Sequence, residues 1–485
     1  MTDTRSAIAK GALAQAGLIG DADLDKVAAL VDRVAQSDLE TIRVLFADQH
    51  GILRGKTIVA GAFASIFTSG LAAPSSLLLK DTAHRTVFPI WSDDPGVSGG
   101  MGGAGDILML PDPDTFRILP WSPHSAWIFC DPRFKSGAVM PFSPRDVLKS
   151  AIAKMEVQDM ALVVGLEVEF HVFERIDPRL DHADATMPGK PVQTRNLAQG
   201  YQFLTETLYS QAEPLLDDLR RHCQALNLPV RSMEIEMGPS QFEFTFDPAD
   251  PLTHADNMMM FRTMVKEVCA RQGLHATFMC KPSVPNAAAS GWHLHQSVVD
   301  AKTGRNLMIP DEPDTLSDVA SGWIAGLLAH AEESCLLTTP TVNGYKRYRP
   351  HQLAPDRIQW GRDNRGAMVR GLMAPGDNAS RVENRVAETT ANPYYFFASQ
   401  ILSGLDGILQ GMKAPEPVET PYDADAVHLP ESLLSAIQHF AGSEFYRSQL
   451  GDAFVDYLTT IRKAEWDRYH LTISEWEQTE YFGLF

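Results

Sequence analysis

Polar side chains recur at every second position in four stretches of this chain, and residues two apart on a β-strand project from the same face. Glu167 and Glu169 sit in LVVGLEVEFHVF, Glu234 and Glu236 precede the turn-like MGPS, and Glu243 follows in QFEFTF. His293 and His295 occur in GWHLHQS, and Arg381, Glu383 and Arg385 in RVENR. Any one pair is accounted for by the solvated face of an antiparallel strand. The whole set is not, because its neighbours are strongly apolar and burying several carboxylates without cations is prohibitively costly. A shared metal cluster resolves the conflict. Five glutamates with one histidine make an oxygen-dominated ligand set, which favours magnesium or manganese over zinc or an iron–sulfur centre. Phosphate chemistry then becomes attractive, since Arg347, Arg349, Arg357, Arg362, Arg365 and Arg370 precede RVENR and supply donors for carboxylates and phosphoryl oxygens. Arginine's ordinary place is the surface, so about half of these are expected to do no chemistry.

The formal net charge of −19 opposes capture of polyanionic nucleic acid and points to small ligands. With 485 residues the chain can hold two or three structural units at about 100–200 residues each. No apolar run approaches the roughly 20 residues of a membrane helix. The opening MTDTRSAIAK lacks the apolar core and cleavage pattern of a secretory signal, so a cytoplasmic protein without membrane contact is expected. Cys130, Cys223, Cys269, Cys280 and Cys335 are scattered singly, without the close pairs of zinc knuckles or redox motifs, and read as reduced core or surface residues.

Leu24, Val27, Val31 and Val34 fall at helical spacing between Asp21 and Gln36, behind acidic residues suited to a first turn. Alternation at Ile42, Val44 and Phe46, punctuation at Gly51 and an extended pattern from Leu53 to Val59 predict a β-hairpin, giving a mixed α+β N-terminal unit. GILRGKT, Gly51 to Thr57, is rejected as a phosphate loop because its glycines stand one residue closer than the Walker pattern requires. Gly99, Gly100, Gly102, Gly103 and Gly105 lack the strand-to-helix context of a dinucleotide fingerprint and read as a flexible loop. Pro, Ser and Gly crowd the stretch from Asp131 to Arg145, and a helix is predicted from near Pro144. The domain boundary is therefore placed at Lys135, dividing the chain into 1–135 and 136–485. Phe454, Leu458 and Ile461 share one face of a C-terminal packing helix, with aromatics following through Tyr481, and no internal repeat suggests a solenoid.

The motifs GLEVEF (Gly165 to Phe170), EMGPSQFEF (Glu236 to Phe244) and KPSVPNAAASGWHLHQS (Lys281 to Ser297) are followed by TPTVNGYKR (Thr339 to Arg347) and DNRGAMVR (Asp363 to Arg370). RVENR (Arg381 to Arg385) and ANPYYFFASQILSGLDGI (Ala391 to Ile408) complete the series. In order and over most of the chain this set resembles the glutamine synthetase superfamily, as do FADQHGILRGK and PDPDTFRILPW nearer the N-terminus. The resemblance implies an N-terminal β-grasp domain, here with an extra helix, and a catalytic domain whose antiparallel sheet forms a funnel-like active site. It also implies homo-oligomers, commonly a dodecamer of stacked hexameric rings, with each site completed by a neighbour's N-terminal domain. By motif position, Glu169, Glu236 and Glu243 are expected to hold one Mg2+ or Mn2+ ion, and Glu167, His293 and Glu383 another. His295 is expected to face the nucleotide phosphates, and Arg347 to grip glutamate. Arg365 and Arg385 match arginines around the transferred phosphoryl group and the γ-carboxylate, while Arg370 and Arg381 match nucleotide contacts. Glu234 has no matching role and reads as structural. The implied reaction is an attack of glutamate on the γ-phosphate of ATP, giving γ-glutamyl phosphate and ADP, followed by displacement of phosphate by an amine.

Glutamine synthetases carry, after the glutamate-binding arginine, a flap close to RLVPGYEAP, whose acid binds ammonium and removes a proton. Arg347 to Pro355 reads RYRPHQLAP here, with Leu353 at that position. A second acid, from a neighbour's FDGSS-like loop, has its nearest match in AAPSS, with Ala73 in its place. Loss of both carboxylates removes the means to attract a small cation and deprotonate it. Leu353 offers apolar surface instead, suiting an amine that carries a hydrocarbon group or is already neutral, as aromatic amines are. The pattern thus resembles the branch that makes γ-glutamyl derivatives of polyamines, alkylamines or anilines. A glutamine synthetase with an unusual flap and a non-catalytic member of the fold remain as alternatives. Ala288 and Ala289 replace the asparagine and glycine that precede the metal histidine, and PYDADAV around Tyr422 matches the adenylylated segment too poorly to imply that regulation.

Overall fold

The computed structural model describes residues 2–92, 96–97, 101–177, 179–351, 354–423 and 425–485, so Leu353, Gly99 and Gly100 lie outside the described residues. Among these residues the strands gather into two sheets. The first is built from β1 (Thr41–Ala47), β2 (Leu53–Val59), β3 (Leu71–Pro74), β4 (Asp106–Pro111), β5 (Arg117–Leu119) and β6 (Ser122–Phe134). Its order is β2-β1-β6-β4-β3 with β5 beside β6, and β1 runs antiparallel to β2 but parallel to β6. The alternation read from sequence sets this arrangement: Ile42, Val44 and Phe46 are fully buried while the residues between them are only partly so. The helix Asp21–Ala35 buries Leu24, Val27, Val31 and Val34 into the same core. Gly51 takes φ +69° at the hairpin turn, where a Cβ would stand 3.1 Å from Asn392 Cα. The backbone there is tied to the rest of the molecule: Asn392 Nδ2 donates to Asp48 O at 3.0 Å and an Arg262 Nη to Gly51 O at 3.2 Å.

Of the glycine cluster, Gly102, Gly103 and Gly105 lie within the described residues. Gly102–Ala104 is a 3₁₀ turn in which Gly103 N donates to Ile90 O at 2.6 Å beside the buried Met101.

The second sheet contains β7 (Met160–Arg175), β8 (Thr194–Asn196), β9 (Val230–Ile235), β10 (Gln241–Ala249), β11 (Leu274–Thr277), β12 (Trp292–Asp300), β13 (Trp360–Arg362), β14 (Val369–Leu372) and β15 (Arg381–Asn384). Its order is β13-β14-β15-β12-β7-β10-β9, with β8 and β11 also pairing β7. Every ladder is antiparallel except β13 with β14. The alternate residues Leu166, Val168 and Phe170 of β7 are buried in an aromatic layer in which Phe170 meets Phe244, Phe261 and Phe278. Trp292 of β12 packs edge-on against Phe396 and Phe397 of the helix Pro393–Leu409. Full burial of each such side chain contributes about 1.5–3 kcal/mol, so the layer strongly fixes the register. A one-residue slip would push the glutamates into it.

The helix Pro144–Glu156 begins on its proline, as predicted, and Asp452–His470 buries Phe454, Leu458 and Ile461. Tyr481 ends a further helix, Glu475–Tyr481, and is exposed. All five cysteines are buried and free. No helix among the described residues is long and apolar enough to cross a membrane.

Candidate active site

The register of the second sheet brings together side chains that are far apart in the chain. His293 pairs with Glu167, Glu243 with both Glu169 and Glu234, His295 with Glu383, and Glu383 with Arg370. Glu236 stands one residue past β9, where its carboxylate accepts from Met237 N at 3.0 Å. Ligand atoms of Glu169, Glu236 and Glu243 lie within 4.8 Å of one another, as do those of Glu167, Glu243 and His293, and those of Glu167, His295 and Glu383. Of the trio expected for a second ion, His293 Nδ1 is 3.3 Å from Glu167 and 3.6 Å from Glu383, while Glu167 and Glu383 converge with His295 rather than with His293.

The carboxylates divide by environment. Burial and the Glu169 charge push Glu236 up to about 8, and the same two causes raise Glu243 well above the ordinary range. Glu167 behaves oppositely: against the effect of burial, hydrogen bonds from His293 and His295 hold it well below the usual carboxylate range. Arg385 likewise keeps the fully buried Glu383 low despite its burial. Both Glu383 oxygens are engaged, one by Arg370 at 3.0 Å and the other by Arg385. Burial and Arg385 lower His293, favouring the neutral ring that ligates metals. A crowded acidic trio beside a neutral imidazole fits a hard divalent ion.

Arg347, 4% exposed, donates to the carbonyls of Arg385 and Val386 at 2.8 and 3.0 Å and lies 3.4 Å from His293 Nε2. Arg381 Nε donates to His295 Nδ1 at 3.0 Å, which leaves the Nε2 proton of His295 for Glu167 at 2.8 Å. Two cavities meet along this row. One, of about 560 Å³, is walled by the acidic trio with Arg347, Arg349, Arg365, Arg370 and Arg385. The other, of about 840 Å³, is walled by His295 and Arg381, and Glu167 and Glu234 border both. Arg357 and Arg362 are turned elsewhere, donating to Tyr422 O and Asp314 O at 2.6 Å each.

Several wall residues carried no signal in the sequence reading. Gln241 Nε2 donates to Glu169 at 3.0 Å, and its place two residues before Glu243 on one strand was the available clue. Lys281 and Lys346 also line the first cavity, as do Ala288 and Ala289, the pair that the sequence had singled out before the metal histidine. The least foreseeable feature is an apolar rim beside Glu236, formed by Phe203, Leu204 and Met237. Tyr201 N and Leu204 N donate to Met237 O and Ile235 O at 2.7 and 3.2 Å, which pins the rim in place. Ala73, by contrast, is buried in β3 and touches neither cavity of its own chain.

A profile of the glutamine synthetase catalytic domain matches residues 141–481. The chain belongs to the glutamine synthetase family. It is 39% identical to a γ-glutamylanilide synthase of Acinetobacter sp over 95% of both chains. It is 32% identical to a γ-glutamylethanolamide synthetase of Streptomyces coelicolor, covering 92% of this chain and 93% of that one. A solved structure named as a GmaS/ADP complex superposes with a TM-score of 0.78 at 28% identity, over 94% of this chain and 99% of the other. Like these members of the glutamine synthetase family, the protein is a ligase that forms C–N bonds. The family's use of ATP and divalent metals agrees with the acidic clusters described above.

Proposed function

We propose that the protein joins the γ-carboxylate of L-glutamate to an organic amine with an apolar or aromatic body, using ATP and giving a γ-glutamylamide, ADP and phosphate. The apolar rim of Phe203, Leu204 and Met237 beside the acidic trio carries this reading, because such a surface suits a hydrocarbon-bearing amine and gains nothing from ammonium. The likeness to the anilide synthase supports it.

Glu169, Glu236 and Glu243 would hold one Mg2+ or Mn2+ ion, and by motif position Glu167, His293 and Glu383 another, with His293 within 3.6 Å of both carboxylates. Bound there, the ions supply Lewis-acid neutralisation of phosphoryl oxygens. Arg347 holds the glutamate, its guanidinium fixed by two carbonyls. Arg365 and Arg385 neutralise charge as the γ-carboxylate oxygen attacks phosphorus and again as the amine nitrogen displaces phosphate. His295, Arg381 and Arg370 orient the nucleotide phosphates, with Arg381 fixing the tautomer of His295. Residues 1–135 form a β-grasp unit of a ring-shaped homo-oligomer, commonly dodecameric, working in the cytoplasm.

A phosphate-release screen with glutamate, Mg2+-ATP and a panel of ammonium, alkylamines, diamines and anilines tests the reading. Turnover is expected with alkylamines or anilines, and turnover with ammonium alone at ordinary concentrations would replace it with glutamine synthesis. Phe203→Ala is expected to raise the KM for an aromatic amine about tenfold or more, leaving that for glutamate unchanged. From the flap sequence, Leu353→Glu is expected to improve ammonium use.

A further inference from the structure

Apart from the two catalytic cavities, the chain holds another of about 760 Å³, within the size range of small-molecule sites, which is about 300–1,000 Å³. It is bounded by the β1–β2 turn, the helices Pro251–Arg271 and Asp452–His470, and the stretches 277–280 and 340–343. Its walls are mainly apolar, with Leu53, Met259, Phe278 and Val342 among them. Among the described residues, four cationic side chains, Arg262, Lys266, Arg462 and Arg468, share the lining with a single carboxylate, Glu465. That imbalance is unusual in a chain of net charge −19.

Only part of the positive charge is compensated. Arg462 pairs with Glu465 at 3.1 Å and Arg468 with Asp81 at 3.1 Å. Arg262, 9% exposed, donates to the carbonyls of Gly51, Thr389 and Ala391, and among the described residues no carboxylate forms an ion pair with it. Lys266, one helical turn further on, has no ion pair or hydrogen bond among the described residues. Burial pushes Arg262 down to about 10, outweighing the opposite effect of Tyr394 and Asp48. An anion placed between Arg262 and Lys266 would offset the cost of burying that cation, and the apolar walls would take the rest of the molecule.

The geometry points to a binding site for a small organic anion, a carboxylate or phosphate on an apolar body, whose occupation is felt at the glutamate cavity. Asn343 supplies the link. It lines this third cavity, while its side chain accepts from Lys281 N at 2.7 Å and donates to Lys281 O at 3.0 Å. Lys281 lines the glutamate cavity, and Arg347 follows Asn343 along the same segment.

The test uses the whole protein with saturating glutamate and Mg2+-ADP, so that the catalytic cavities are filled. 4-Fluorobenzoate and 4-fluorophenyl phosphate are titrated by fluorine NMR, with inorganic phosphate as the probe lacking an apolar body. At least one aryl anion is expected to bind, and Lys266→Glu and Val342→Trp are each expected to weaken it tenfold or more. Which aryl anion binds better tells carboxylate from phosphate. The same anion should move the KM for glutamate in the unaltered protein and not in Lys266→Glu. Lys266 is exposed and forms no ion pair or hydrogen bond among the described residues, so its reversal leaves the fold intact, and an unchanged affinity in both variants would overturn the site. So would the absence of binding at millimolar concentration. Inorganic phosphate binding as tightly as the aryl anions would overturn the apolar half of the reading, and binding without any shift in KM would overturn the link.

Discussion

Glu243→Gln is expected to make the metal-free protein more stable while lowering kcat/KM by about 10³. Glu243 is 6% exposed, stands opposite Glu169 across the β7–β10 ladder, and has no hydrogen-bond partner among the described residues. Burial and the Glu169 charge raise its pKa, so the native state keeps a proton that the unfolded chain gives up at about 4.3. Above that pH the native state binds more protons than the unfolded one, and stability falls as pH rises toward the raised value. Glutamine keeps the shape and has no charge to suppress. Its advantage should therefore be small at pH 5 and larger at pH 8, reaching about 1–3 kcal/mol. A divalent ion reverses the ranking, because Mg2+ or Mn2+ stabilises the intact cluster in proportion to its occupancy and the substituted one less. Calorimetric melting in EDTA and in Mn2+, at both pH values, checks the whole set. A variant less stable than the parent in EDTA at pH 8 would remove the argument that these carboxylates await a cation.

What made this site readable was the strand period. Glu167 with Glu169, and His293 with His295, were legible as one-face pairs because two residues of strand always restore the same side. Antiparallel pairing then needed only the apolar layer of Phe170, Phe244 and Trp292 to set the register that places them opposite one another. Contacts set by tertiary packing were not legible. Arg357 and Arg362 look the same in sequence as Arg365, yet their side chains are drawn off by carbonyls of Tyr422 and Asp314, residues whose proximity no local pattern encodes. The rim of Phe203, Leu204 and Met237 joins a pre-helical loop to a turn, and neither has a period to betray it. The turn within the glycine cluster was hidden for a related reason. Glycine content marks conformational freedom in the chain, whereas Gly103 is held by a carbonyl from Ile90.

Gly291 sits where a single added methyl group would disturb the glutamate side of the site. A Cβ at Gly291 would stand 2.5 Å from an Nη of Arg347 and 2.9 Å from His293 Nε2. The glycine cannot retreat, because its N–H donates to Glu169 Oε2 at 3.0 Å and its carbonyl accepts from Glu169 N at 3.2 Å. Its φ is not in the left-handed region, so alanine can adopt the backbone without strain and the fold should persist. The displacement must then fall on Arg347 and His293, of which Arg347 is anchored by two carbonyls and enclosed. Misplacing a substrate-orienting group by about 1 Å costs about 10² in rate. Gly291→Ala is accordingly expected to lower kcat/KM for glutamate by about that factor, with the KM for glutamate rising and the KM for the amine little changed. Steady-state kinetics with each substrate varied in turn, alongside an unchanged melting temperature, checks it. If the amine KM rose instead, Arg347 would belong to the amine side of the cavity and the glutamate would have to be held elsewhere.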